Sequence, residues 1–378
     1  MKILYIYEQI DTTVVVNMTY LKSLLDEKTE SREKLSRNVC QVDIDWCQIC
    51  IAIRPSTVYS LSVASSIKGN GRTFVAFYDD DLLNLPANNS AKWRKPFIKR
   101  ILGAAGALMS PSSVIVSEYK HIAPSLPGII FKIYVPDEEI LPVIPCGEKI
   151  RIVYAAGNDH KVMFEKYIKP SIDRILEQYP NVELHFIGVS PDMSDVHNKD
   201  RIVRHVGMPY QEYKEFMKTN RFDIGLSPLS DTPFCNRKYF NKYLEYTKDG
   251  MVGLYSNCLP YTLVVKDGIN GFLVNNDVNS WFDAIKHAIE NIIDMKSIAE
   301  FSQDHLKSDF SFANAQKEIL DNLSSIVGND FAHVRYKKQW IKGFLFDIVD
   351  NGMNLYCHLK YEGFREVLKK ISEKRIGK

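Results

Sequence analysis

Short apolar runs recur along the chain, separated by polar stretches long enough for several helical turns. In the first half, residues 2–7, 46–53, 73–78 and 114–117 have the length and composition of strands. Residues 18–30 and 59–68 carry helical spacing, and Gly69 stops the second of them. The alternation restarts after position 149. Strands are predicted at 150–155, 182–188 and 202–206, with helices at 164–178 and 210–219. Further on come a buried strand carrying Ile224 and Leu226, a helix opening near Asn236 and stopped by Gly250, and a strand at 251–255. Helices at 281–293 and 294–306 follow. Strands separated by helices predict parallel, doubly wound α/β sheets, whose ligands bind outside the carboxyl ends of the strands.

The stretch 140–148, with Pro142, Pro145 and Gly147, reads as a linker. The expected organisation is therefore two Rossmann-like domains, 1–145 and 146–328, facing each other across a cleft. Residues 329–378 form an appended basic segment, aromatic and rich in Lys and Arg, read as helices broken near Gly352. A chain of 378 residues exceeds the usual size of one core, which supports the division.

A formal net charge of +2 gives no global basic field and argues against a nucleic-acid partner. Seven irregularly spaced cysteines fit a reducing compartment better than a disulfide framework. Cys47 and Cys50 have C-x-x-C spacing, but they lie in an apolar run with no second ligand pair, so buried free thiols are expected. No apolar stretch approaches the ~20 residues needed to span a bilayer. The expectation is a cytoplasmic protein, peripheral on the inner face of a membrane. Residues 92–100 (KWRKPFIKR) and the basic C-terminal segment both suit an anionic membrane surface.

The most informative stretch is 223–274, where a strand, a polar loop, a helix with K-x-L-E-Y ahead of Gly250, a strand and N-G-F-L-V follow in order. This order resembles the nucleotide-sugar half of GT-B glycosyltransferases, in particular the retaining family-4-type (group 1) enzymes of bacterial polysaccharide synthesis. The resemblance is good over 149–323 and loose before it. It implies transfer of a sugar, hexose-like, from a UDP- or GDP-linked donor to a glycan or lipid-linked acceptor, with no obligatory cofactor.

The resemblance implies that Lys238 holds the diphosphate, assisted by the helix N-terminus, with Arg237 as a second candidate. Glu245, two turns after Lys238, is expected to bind the ribose hydroxyls. Gly157, His160 and Lys161, in the loop A-A-G-N-D-H-K, are expected at the phosphates or the substrate, His160 capping its helix being an equal alternative. Leu259, Pro260 and Tyr261 are expected near the diphosphate or sugar. One departure stands out: the family's E-x7-E motif would put a Glu where this chain has Arg237.

In the first half, Asp79, Asp80 and Asp81 end a strand, and three adjacent carboxylates repel unless they work together. They are the catalytic candidates, as acceptor-positioning groups or as a general base, and their D-x-D spacing leaves Mg²⁺ open. No dedicated metal ligands are expected. Arg54 and Tyr78 are the acceptor-binding candidates. Two other readings share the fold: a sugar-nucleotide epimerase, which needs two carboxylates and a His at the donor sugar, and a non-catalytic nucleotide-sugar-binding scaffold.

Overall fold

The computed structural model describes residues 1–144, 146–157, 160–328, 334–337 and 339–362. It divides into two compact units: Met1–Lys132 with Ala315–Lys378, and Ile133–Asn314.

Unit 1 runs β1 (Lys2–Tyr7), α1 (Thr12–Ser23), β2 (Glu30–Leu35), α2 (Gln41–Trp46), β3 (Ile49–Ile53), α3 (Val58–Gly69), β4 (Thr73–Phe77), α4 (Lys95–Ala104), β5 (Ala107–Ser110), α5 (Ser113–Lys120) and β6 (Gly128–Ile130). Its sheet is parallel, in the order β2-β1-β3-β4-β5-β6. Strands β3 and β4 are fully buried, which explains their unbroken apolar runs. Edge strand β2 (ESREKL) lies exposed or half-buried, so hydrophobic pattern does not announce it.

Unit 2 runs β7 (Ile150–Ala155), α6 (Lys161–Tyr167), α7 (Lys169–Gln178), β8 (Val182–Ile187), β9 (Ile202–His205), α8 (Tyr210–Thr219), β10 (Ile224–Ser227), α9 (Asn241–Lys248), β11 (Val252–Ser256), β12 (Phe272–Val274), α10 (Val278–Glu290) and α11 (Asp294–Asp309). The strand order, β9-β8-β7-β10-β11-β12, is again wholly parallel. The chain winds one way from β7 to β9 and the other way from β10, which makes the β7/β10 boundary a topological switch point. One core cluster gathers Phe164, Phe186, Trp281 and Ile285; another gathers Tyr243, Tyr246, Tyr255 and Phe310. Helix α12 (Phe312–Ser325) leads back to unit 1, and α13 (Trp340–Tyr361) packs there.

Several expectations change. The run 114–117 is helical: the Ser112 hydroxyl accepts the Ile115 N–H at 3.3 Å and starts α5, while the strand is the preceding ALMS. A local cap outweighs the β-branched composition of VIVS. The helix foreseen at 18–30 is α1, ending at Ser23. Helix α13 passes through Gly352 without a break. The segment expected as a linker includes Leu141, whose N–H bonds to the Lys248 carbonyl at 2.7 Å within unit 2. Cys47 and Cys50 are buried free thiols. Trp93 and Arg94, read as membrane-facing, bond instead to Asp350 of α13. Pro145, Asn158, Asp159, Phe331, Lys338 and the basic residues beyond 362 lie outside the described residues.

Unit 2 sets a buried histidine against a half-buried one beside its sheet edge. His185 Nδ1 lies 3.2 Å from His205 Nε2, and Glu183 Oε2 lies 3.6 Å from the other ring nitrogen of His185. Burial first, and then the neighbouring imidazole, push the His185 pKa down to about 4, against an opposing pull from Glu183. The folded chain thus keeps His185 neutral while the unfolded chain takes up a proton near pH 6.5. Stability from this site is intact above that pH and is lost as pH falls from about 6.5 towards 4. Comparing melting curves of the wild type and His185→Gln across this window should show an excess loss on the order of 2–3 kcal/mol in the wild type.

Candidate functional site

A cavity of about 540 Å³ opens at the carboxyl end of the unit 2 sheet, at the switch point. Its first wall is backbone: Ala156 and Gly157 after β7, Gly188 after β8 and Gly207 after β9. Gly188 has φ +77°, and a Cβ there would come 2.9 Å from the Ala156 oxygen. Only glycine lets the β7 and β8 loops approach so closely, which leaves a smooth peptide surface for a ligand. Beyond Gly157 the chain turns into α6, the His160 N–H bonding to the Gly157 carbonyl at 3.0 Å.

The second wall comes from the segment entering α9. Residues Cys235–Arg237 form a 3₁₀ turn, Lys238 is extended (φ −63°, ψ 161°), and α9 begins at Asn241. Lys238 therefore stands ahead of the helix and not in its first turn. A cation within the first turn would oppose the helix dipole, and outside the helix Lys238 avoids that cost. Its ammonium lies 5.1 Å from the Phe234 ring centroid and pairs with no carboxylate among the described residues. The first turn of α9 has neither an acidic side chain nor a side-chain cap, and Asn241 and Lys242 line the cavity. The peptide N–H groups that a helix start leaves without intrahelical partners thus lie at the cavity wall.

Glu245 completes this wall. It is the cavity's one carboxylate among the described residues, pairs with Lys242 and accepts the Tyr213 hydroxyl at 3.5 Å. Its carboxylate is held by two donors and still borders open space. Beneath it lies a layer of tyrosines. Tyr261 OH and Ser227 Oγ are 2.5 Å apart, Tyr255 and Tyr261 have centroids 4.9 Å apart, and Tyr246 donates to the Leu226 carbonyl at 2.9 Å. Those rings fit because Gly225 and Gly253, paired across β10 and β11, have no side chains to displace them.

Of the sequence-predicted donor residues, the cavity brings together Gly157, His160, Lys238, Glu245 and Tyr261. Lys161 lies outside its lining and pairs with Glu165 at 3.4 Å. Arg237 turns away, donating to the Pro233 carbonyl at 2.7 Å. Leu259 and Pro260 precede the 3₁₀ turn carrying Tyr261 and are not lining residues. Gly188 and Tyr213 were not singled out from sequence, and Lys242 was quoted only as part of the K-x-L-E-Y motif, with no role assigned. An isolated glycine closing an apolar strand was the available signal for Gly188. Among the described residues the cavity has one carboxylate and not the acid pair an epimerase needs.

Unit 1 reassigns the acidic triplet. Arg54, with φ +49°, clamps Asp79 through Nε–Oδ1 at 2.6 Å and Nη2–Oδ2 at 2.9 Å. Asn17 adds a third bond to Asp79. Asp81 is fully buried and accepts the Leu83 N–H, the Asn84 amide and the Tyr119 hydroxyl, so it fixes the turn after β4. Asp80 stays partly exposed, 3.9 Å from Arg54 Nη2. Asp79 and Asp80 thus share Arg54, while Asp81 is held apart from them by its own donors. Among the described residues no group of three or more His, Cys, Asp or Glu is placed to hold a metal. Tyr78, an expected acceptor contact, is wholly buried with its hydroxyl on the Pro55 carbonyl at 2.6 Å. An apolar ring ending a core strand packs inward, and here it meets Tyr119 edge-on.

A polar cavity of about 590 Å³ lies in unit 1 itself, with Arg37, Arg54, Arg94 and Asp347 on its walls. Glu8, also on its wall, accepts hydrogen bonds from the Ser56 and Thr57 N–H groups and from three hydroxyls, closing the start of α3 to other anions.

No protein-family model and no curated protein sequence matches the chain. Solved structures do. Anabaena Alr3699/HepE, in a complex with UDP and glucose, superposes with a TM-score of 0.65 at 13% identity, covering 86% of this chain and 100% of its own. The sucrose-phosphate synthase of Thermosynechococcus elongatus gives 0.62 at 11% identity, over 86% of this chain and 98% of its own. The lipopolysaccharide outer core galactosyltransferase WaaB gives 0.58 at 15% identity, over 86% and 99%. With its two six-stranded parallel Rossmann-like sheets, the chain has the fold of the GT-B glycosyltransferases.

Proposed function

We propose that this protein is a glycosyltransferase that moves a sugar from a nucleoside-diphosphate donor to a glycan or lipid-linked acceptor. The observation that carries the reading is the switch-point cavity of unit 2, with glycine backbone on one wall and Lys238, the start of α9 and Glu245 on the other. That pairing suits a nucleoside diphosphate. A cation and free N–H groups meet the negative phosphates, and a carboxylate meets the vicinal hydroxyls of a ribose. Lys238 stabilises the diphosphate as it leaves, where charge develops in the transition state.

UDP is the first nucleotide to test, because HepE structures hold UDP and UDP-glucose. The acceptor is assigned to the polar cavity of unit 1. Retention of anomeric configuration is favoured over inversion, since an inverting enzyme needs a free general base and two of the three carboxylates after β4 are engaged. Asp79 is clamped and Asp81 is buried, which leaves Asp80 alone of the three for such a role. The reading is tested by incubating the protein with radiolabelled UDP-, GDP-, ADP- and dTDP-sugars and a bacterial membrane extract. Label passing into the lipid or glycan fraction, abolished by Lys238→Ala, supports it. No transfer from any of the UDP-, GDP-, ADP- or dTDP-sugars contradicts it.

A further inference from the structure

Helix α13 uses its two sides differently. On the inner side, Gly343 lets the helix approach the Tyr59 ring, Phe346 packs on Trp93 with centroids 4.9 Å apart, and Asp350 takes a bidentate pair from Arg94. Asp347 accepts the Tyr59 hydroxyl at 2.8 Å. On the other side, Ile341, Phe344, Leu345, Ile348, Leu355 and Leu359 are between 41% and 78% exposed. At 3.6 residues per turn they fall on one face, opposite the packed one, with Gly352 standing between Ile348 and Leu355. Lys342 and Lys360, eighteen residues and five turns apart, lie along one edge of it. Both acids within α13 are engaged, Asp350 by Arg94 and the exposed Asp347 by Tyr59, so the outer face joins apolar side chains to cations.

We infer that the outer face of α13 seats on an anionic lipid bilayer, with the helix lying in the plane of the interface. A stripe this long and this exposed is unusual on a monomeric soluble protein. Its composition is that of a helix buried at a headgroup boundary, with the apolar face towards the acyl chains and lysines at the rim. Charge argues for lipid over a second copy of the chain. Apposing two such faces would bring like charges together, whereas an anionic surface complements them. The sixteen residues after position 362 add six Lys and Arg against two Glu, so the chain leaves α13 with further positive charge. No helix of the described residues is long and apolar enough to cross a membrane, so seating is peripheral. The inference does not depend on the donor site, and nucleotide binding in solution has no bearing on it.

The test is flotation of the full-length protein with vesicles of equimolar phosphatidylcholine and phosphatidylglycerol, beside vesicles of phosphatidylcholine alone. The wild type should float with the anionic vesicles and bind the neutral ones at least about tenfold less. Phe344→Ser/Ile348→Ser should reduce binding to the anionic vesicles more than about tenfold. Lys342→Glu/Lys360→Glu should weaken it and flatten its salt dependence. Unchanged melting curves would show that neither variant acts through unfolding. The inference is overturned if the wild type stays unbound on anionic vesicles, or if Phe344→Ser/Ile348→Ser binds them as well as the wild type. A wild-type dimer that this variant converts to monomer, without vesicle binding in either, would overturn it in favour of a second copy.

Discussion

Replacing Glu245 with Ala should weaken nucleoside diphosphate binding by roughly 1.5–3 kcal/mol, a factor of about ten to a hundred. The carboxylate is pre-positioned by Lys242 and the Tyr213 hydroxyl, so a bound ribose pays little to orient it. Its loss removes the only carboxylate that the described residues put on that wall and leaves the Lys242 ammonium without its carboxylate partner. Glu245→Gln separates the two effects, since an amide keeps one acceptor oxygen while losing the charge. Affinity should fall in the order wild type, Gln, Ala when measured by calorimetry with the diphosphate. The same diphosphate carrying a 2′,3′-dideoxyribose should bind all three alike. A full effect on the dideoxy compound would move Glu245 from ribose recognition to support of Lys242.

Gly253→Val should destabilise unit 2 by at least about 3 kcal/mol and lower its melting transition by roughly 6–12 °C. A Cβ at Gly253 falls within the Tyr255 ring, and one at its strand partner Gly225 falls within the Tyr246 ring. Both tyrosines are fully buried and cannot swing out without opening the core beneath the donor cavity. Overpacking a closed site forces backbone movement in β10 and β11, the two strands whose ends carry Ser227 and lead to Tyr261. Scanning calorimetry should show one lowered transition and one unchanged, because the residue belongs to unit 2 alone.

Much of this architecture was legible from residue pattern. The buried runs at β7 and β10 and the amphipathic α8 could be placed because a sheet covered on both faces demands continuous apolar strands. What pattern missed has physical reasons. Strand β2 is polar because it is an exposed edge, and VIVS became helix because Ser112 caps it. At the site, spacing placed Lys238 and Glu245 on one wall but put Lys238 inside a helix. The extended break at Lys238, set by the 3₁₀ turn before it, carries no periodic signal. The Asp triplet drew attention as a cluster of like charges, yet Asp79 and Asp80 share one arginine and Asp81 is held by separate donors, Tyr119 among them. Those partners, Arg54, Asn17 and Tyr119, are brought near only by the sheet. Gly188 was passed over as a site residue because its role lies in what it does not have, and only its place at the end of an apolar strand marks it.

The central claim, that the switch-point cavity of unit 2 holds a nucleoside diphosphate, is tested most directly by calorimetric titration with UDP, GDP, ADP and dTDP. The wild type should bind one of them, UDP first among the four, at one site per chain, and Lys238→Ala should weaken that binding at least about tenfold. If none of the four binds to protein whose unit 2 melts cooperatively, the cavity is not a donor site and the account of the second wall is wrong.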